Sequence, residues 1–146
     1  MVMDKLLQQV LDEAPDAVIV SDKDGMIRYW NKGAELIFGH TADVVLGQSL
    51  DLIVPENLRA RHWEGYYRVM ATGETKYKTG LLSSPGIRKD GSRVSLEFSM
   101  VLLRDESGAM QGVASIMREV TERWKREKEL KVRLSACEAR LASTPV

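Results

Sequence analysis

The stretch 55–73, PENLRARHWEGYYRVMATG, has the fewest ways to fold in this chain. It reads as one helix, entered at Pro55 and left at Thr72-Gly73, because proline suits a first helical turn and glycine a closing left-handed residue. Leu58, His62, Tyr66 and Val69 recur at i, i+4, i+8 and i+11, and Trp63, Tyr67 and Met70 form an adjoining stripe. His62 therefore lies in an apolar row, with Gly65 leaving space one turn further on. That histidine either meets a ligand or packs as core.

The 146 residues suffice for one domain, and a hydrophobic fraction of 44% for its core. Lys+Arg and Asp+Glu both number 21, so the balance carries no electrostatic footprint for nucleic acid or an anionic membrane. Cys137 is alone, which rules out an intrachain disulfide and suits a reducing cytoplasm. Two histidines and one cysteine argue against structural zinc. The N-terminal MVMDKLLQQVLDEA is too interrupted by polar residues for a signal peptide, and no stretch approaches transmembrane length. The expectation is a cytoplasmic protein with no membrane contact.

In chain order, residues 3–13 predict an amphipathic helix with Leu6, Leu7, Val10 and Leu11 on one face, ended by Ala14-Pro15. Residues 16–21 and 26–30 predict a hairpin across Asp22-Lys23-Asp24-Gly25. Asn31 caps a helix from Lys32 to Phe38, closed by Gly39. Thr41 caps a shorter turn through Val45, closed by Gly47. Short helices joined by single glycines predict little burial and low local stability in this region. After Gly73, residues 76–83 read as a strand, which Ser84-Pro85-Gly86 should break or bulge. Residues 93–103 form a long strand with Val94, Leu96, Phe98 and Met100 on one face, and residues 110–120 a last strand. Short turns make these three antiparallel neighbours.

Thr121 caps an exit helix running to about residue 140. Its early half is dense in charge, and Leu130, Leu134, Cys137 and Leu141 then recur as a heptad seam. One seam of that length cannot bury itself, so the helix predicts a partner helix, and a homodimer in which the flanking helices pair.

The text A-P-D-A-V-I-V-S-D-K-D-G-M-I-R-Y-W-N at 14–31, G-A-E-L-I-F-G-H at 33–40, R-K-D-G-S at 88–92 and R-E-V-T-E-R at 118–123 together resembles a PAS domain. Glu119 stands where that family usually carries the aspartate of its Asp-Ile-Thr junction. The resemblance implies an α+β fold, a five-stranded antiparallel sheet with helices on one face. It divides the chain into a flanking helix at 1–13, the PAS domain at 14–120 and a signalling helix and tail at 121–146. It implies a sensory and dimerisation module that passes its state through the exit helix to an effector, such as a kinase, cyclase or transcription regulator. No histidine follows His62 to serve as a two-component phosphoacceptor.

The family's pocket lies between sheet and long helix and holds haem, flavin, a small metabolite or nothing. By the resemblance, Ile53, His62, Tyr66, Arg68, Leu81, Leu82 and Met100 line it here. The pattern Pro-x-x-x-Arg-x-x-His of oxygen-sensing haem members places His62 as an axial ligand of haem b, with Arg68, Arg59 or Arg61 for a propionate. Their polar distal residue is replaced by Leu81 and Leu82, a wall that offers oxygen no donor. Flavin fits less well, since the only cysteine is in the exit helix and the tryptophan of redox-flavin members is matched only by Tyr77. A small organic acid or aromatic metabolite held by Arg and Tyr at the mouth is the further alternative. His40 reads as an exposed helix-end residue. Acid–base chemistry by His62 with Glu64 or Glu97 lacks any nucleophile motif, phosphate loop or metal cluster, so no enzyme is expected.

Overall fold

The computed structural model describes residues 2–75 and 80–143. Five strands form one antiparallel sheet in the order β2-β1-β5-β4-β3, with β1 Ala17–Asp22, β2 Ile27–Trp30, β3 Leu82–Ile87, β4 Arg93–Arg104 and β5 Met110–Glu119. The helices are α1 Val2–Glu13, α2 Lys32–Phe38, α3 Ala42–Val45, α4 Arg59–Thr72 and α5 Thr121–Ser143, with 3-10 turns at Leu50–Ile53 and Glu56–Leu58. No helix among the described residues is long and apolar enough to cross a membrane.

The β1–β2 hairpin forms because Asp22 organises its own turn, accepting from the backbone N–H groups of Asp24 and Met26. Asn31 then ends β2 and begins α2. Its side-chain oxygen accepts from Ala34 N–H at 2.9 Å as the helix cap and from Val18 N–H at 2.8 Å, and its amide donates to Leu11, Ala14 and Asp16 carbonyls. The end of α1, strand β1 and α2 thus meet at one side chain that is 3% exposed. Gly33 lets them close, because a Cβ there would stand 2.1 Å from the Asp16 carbonyl oxygen. α2 closes as expected at Gly39 in the left-handed region.

Three details differ from the sequence reading. Thr41 makes no side-chain cap; the Glu35 carboxylate accepts the Ala42 N–H at 2.8 Å instead. The short-helix region is well buried, because Phe38, Val45, Leu50 and Ile53 point into the core against Trp30 and Leu96. Pro85 does not break its strand: β3 pairs with β4 in unbroken register from Leu82↔Phe98 to Ile87↔Arg93. As the sheet's edge, β3 tolerates a residue with no N–H on its unpaired side. Of the strand placed at 76–83, the part 76–79, Tyr77 included, lies outside the described residues.

The long helix is divided, a 3-10 turn at Glu56–Leu58 leading into α4, which Gly73 closes in the left-handed region. Replacing Asn31 by Ala would strand buried amide and carbonyl groups on three elements at once. The expected loss is about 3 kcal/mol, read as a lower urea midpoint with unchanged slope.

Candidate functional site

None of the residues of α4 is fully buried, although its sequence carries an apolar row. The helix faces a cavity of about 380 Å³ across from the sheet. Polar ties hold it there. Trp63 donates its indole N–H to Asp51 at 2.7 Å, and Tyr66 bridges to Ser21 at 2.9 Å and to the Asp22 carbonyl. Arg104 reaches from β4 to the Gly73 carbonyl at the helix end. Tyr66, midway along the helix, ties it to β1, and the cavity lies between the rest of that helix face and the sheet.

The sheet side of the cavity follows from strand alternation. Leu96, Phe98 and Met100 of β4 and Val113, Ser115 and Met117 of β5 face it, joined by Ile19 and Ser21 of β1. Ile53, His62, Tyr66, Arg68, Leu82 and Met100 all line it. Leu81 does not: it precedes β3, is 67% exposed and lies outside the lining. The distal wall therefore carries Leu82 alone of the two leucines, with Ser83, Ser84 and Pro85 following it along the lining. Sequence reasoning missed Ser115 as lining, which the period-2 pattern of β5 signalled, whereas Gly65, read as leaving space beside His62, does line the cavity.

His62 makes no hydrogen bond to any described residue, and its Nδ1 is wholly enclosed. Its ring lies edge-on to Trp63, with centroids 4.8 Å apart, and tilted to Tyr66 at 5.9 Å. Burial pushes its pKa below the usual histidine value, against the opposing charge of Asp51. The imidazole is thus held neutral. The Tyr66 phenol is pushed up, chiefly by burial, with the Ser21 bond opposing.

Arg68 spends its guanidinium on Glu64 at 3.1 Å. Glu97 points to the other side of the sheet from Leu96 and Phe98 and pairs with Arg123, so neither carboxylate serves His62 as a proton partner. His40 is half-buried against Trp30 rather than exposed, and burial lowers its pKa. Among the described residues no group of His, Cys, Asp and Glu could hold a metal ion.

Beyond the cavity, β5 runs into α5 with only Val120 between them. Val120 N–H donates to Ser95 O, Ser95 N–H to the Thr121 hydroxyl, and Arg88 pairs with Glu119. Thr121 thus fastens the junction to β4. Leu6, Leu7, Val10 and Leu11 of α1 and Leu130, Leu134 and Leu141 of α5 are all exposed, as is Cys137.

A five-stranded antiparallel sheet flanked by helices, with a cavity under one helix and an exit helix continuing the central strand, defines a sensory-domain architecture. The PAS fold family model matches residues 11–125, and the chain belongs to that family. It is 29% identical over 117 residues to the sensor protein FixL of Bradyrhizobium diazoefficiens, covering 80% of this chain and 23% of that protein. It is 28% identical over 85 residues to the oxygen sensor protein DosP of Escherichia coli, covering 58% of this chain and 10% of that one. The chain therefore spans under a quarter of these relatives. The PAS domain of a protein from Colwellia psychrerythraea superposes with a TM-score of 0.69 at 23% identity, over 82% of this chain and 98% of that one. The chain is a signal-transduction sensory module homologous to those of sensor proteins.

The sign of the His62 shift gives a test. Its folded pKa lies below the unfolded value of 6.5, so on acidification the unfolded chain takes up the proton first. Stability is unaffected above that value and falls as pH drops through and below it. His62→Gln should show a smaller fall in melting temperature over that window than the parent, and the same dependence on pH above it.

Proposed function

We propose that the chain is the ligand-responsive sensory and dimerisation module of a larger signalling protein. The observation that carries this reading is the sharing of one strand by cavity and exit. β5 supplies Val113, Ser115 and Met117 to the cavity floor and passes through Glu119 into α5. A ligand that shifts the floor by a fraction of an ångström moves a strand that is paired with β4 up to Glu119 and is joined to α5 where Val120 and Thr121 bond Ser95. The effector at the far end is a kinase, cyclase or transcription regulator, the module itself being non-enzymatic and cytoplasmic. The units are the flanking helix 1–13, the PAS domain 14–120 and the signalling helix and tail 121–146. The exposed leucine rows of α1 and α5 pair between two copies. Sedimentation should report a dimer for the full chain and a monomer once 1–13 and 121–146 are removed; a dimer in both would defeat helix pairing.

His62 favours a second reading, haem b as the occupant. The residues fit: burial keeps the imidazole neutral on the wall of a largely apolar cavity, so its lone pair is available to iron. Haem, when bound, supplies a gas- or redox-responsive iron centre. The ring of His62 is oriented by packing on Trp63 and Tyr66, because no acceptor holds Nδ1. Leu82 on the facing wall offers no hydrogen-bond donor through its side chain, which weighs against oxygen and less against carbon monoxide or nitric oxide. Haemin titration of the full chain should give a Soret band that His62→Ala abolishes. No band on loading defeats the haem reading and leaves the sensory module standing.

A further inference from the structure

The arginines of the sheet-and-helix body nearly all have an oxygen acceptor. On α4 itself, Arg59 donates to the Val54 carbonyl at 3.2 Å and Arg68 to Glu64 at 3.1 Å. Arg28, Arg88, Arg93, Arg104 and Arg118 likewise meet carboxylate, amide or carbonyl oxygens. Arg61 is the exception: its side chain has no hydrogen bond or ion pair among the described residues, and it lines the cavity while remaining exposed. It stands at the rim with its five donors uncommitted.

One turn further on, Gly65 also lines the cavity, and a Cβ built there would have nothing within 4 Å. Its φ is not in the left-handed region, so no backbone demand selects glycine. A glycine inside a helix costs about 1 kcal/mol relative to alanine, and what it leaves here is a notch leading from Arg61 to the cavity. Inside, the Ser115 hydroxyl has no hydrogen-bond partner among the described residues, whereas the Ser21 hydroxyl is taken by Tyr66. The rest of the floor is Ile19, Leu96, Phe98, Met100, Val113 and Met117.

We propose that the cavity binds a compact molecule with one carboxylate on an apolar body. The carboxylate pairs with Arg61 at the rim, and the body passes Gly65 to lie on the floor beside Ser115. This rests on the reading of the cavity as a ligand site and names the chemistry it recognises. A planar fork of donors matches a carboxylate, and the pairing is stronger where one face is screened from water by an apolar wall. The cavity of about 380 Å³ is near the lower end of the roughly 300–1,000 Å³ of small-molecule sites, which suits an aromatic or short aliphatic acid. A porphyrin propionate presents the same chemistry, so the two sources are separated by experiment.

Calorimetric titration of the full chain with phenylacetate, cinnamate and octanoate, each against its own amide, is the test. At least one acid should bind about tenfold more tightly than its amide. Arg61→Gln should remove that preference while leaving amide affinity unchanged, and Arg61→Lys should keep part of it. Gly65→Leu, which fills the notch, should weaken acid and amide alike. Equal affinity for every acid and its amide, or a preference that survives Arg61→Gln, overturns the inference while the ligand-binding cavity stands. A haemin band that weakens in Arg61→Gln without binding of the free acids assigns Arg61 to a porphyrin propionate and overturns the compact-acid inference. No binding by any acid, amide or haemin overturns both the inference and the cavity reading. Arg61 is exposed and its guanidinium unpartnered among the described residues, so its variants should melt with the parent.

Discussion

The buried side chain of Asn31 is the contact on which the rest of the structure depends. Its oxygen accepts two backbone N–H groups and its amide donates to three carbonyls, so the hairpin, the cap of α2 and the end of α1 share one node. A buried amide so fully paired recovers the hydrogen bonds it gave up to water, whereas each partner left unpaired would not. The same node sets where α1 leaves the domain. Tyr29 adds a bond to Asp12 on the outer side, and with both ties α1 is oriented by the sheet although its leucines are uncovered.

The second constraint is the standing-off of α4. A helix with an apolar row would ordinarily bury it, and here hydrogen bonds from Trp63, Tyr66 and Arg104 hold the helix where its row faces a cavity instead. The apolar area left unburied is a reserve of binding free energy for a ligand of matching chemistry. The cost falls on His62, whose Nδ1 is enclosed without a partner and whose charge is suppressed by burial. Because the floor strand becomes α5, occupancy of that cavity and the position of the exit helix are mechanically joined.

Much of this was legible in the residues. Asp22, Asn31 and Gly39 announce turn, cap and stop through chemistry local to a few residues, and the alternation of Val94, Leu96, Phe98 and Met100 announces one face of β4. What failed was non-local. Pro85 reads as a breaker until it is known that β3 is an edge. Thr41 reads as a cap until Glu35, seven residues before Ala42, takes that residue's N–H. The short helices look poorly buried because their core partners, Trp30 and Leu96, are not neighbours along the chain. Leu81 and Leu82 look equivalent until the start of β3 assigns one to solvent and the other to the cavity.

The sequence by itself determined the order and type of the elements, the antiparallel pairing of the last three strands and the presence of His62 on the helix opposite them, because period, caps and turn chemistry act over a few residues. The tertiary structure alone decided which arginine is uncommitted, which leucine faces inward and how far α4 stands from the sheet. Those depend on contacts between residues tens of positions apart, such as Tyr66 with Ser21 and Arg104 with Gly73, for which no local pattern exists.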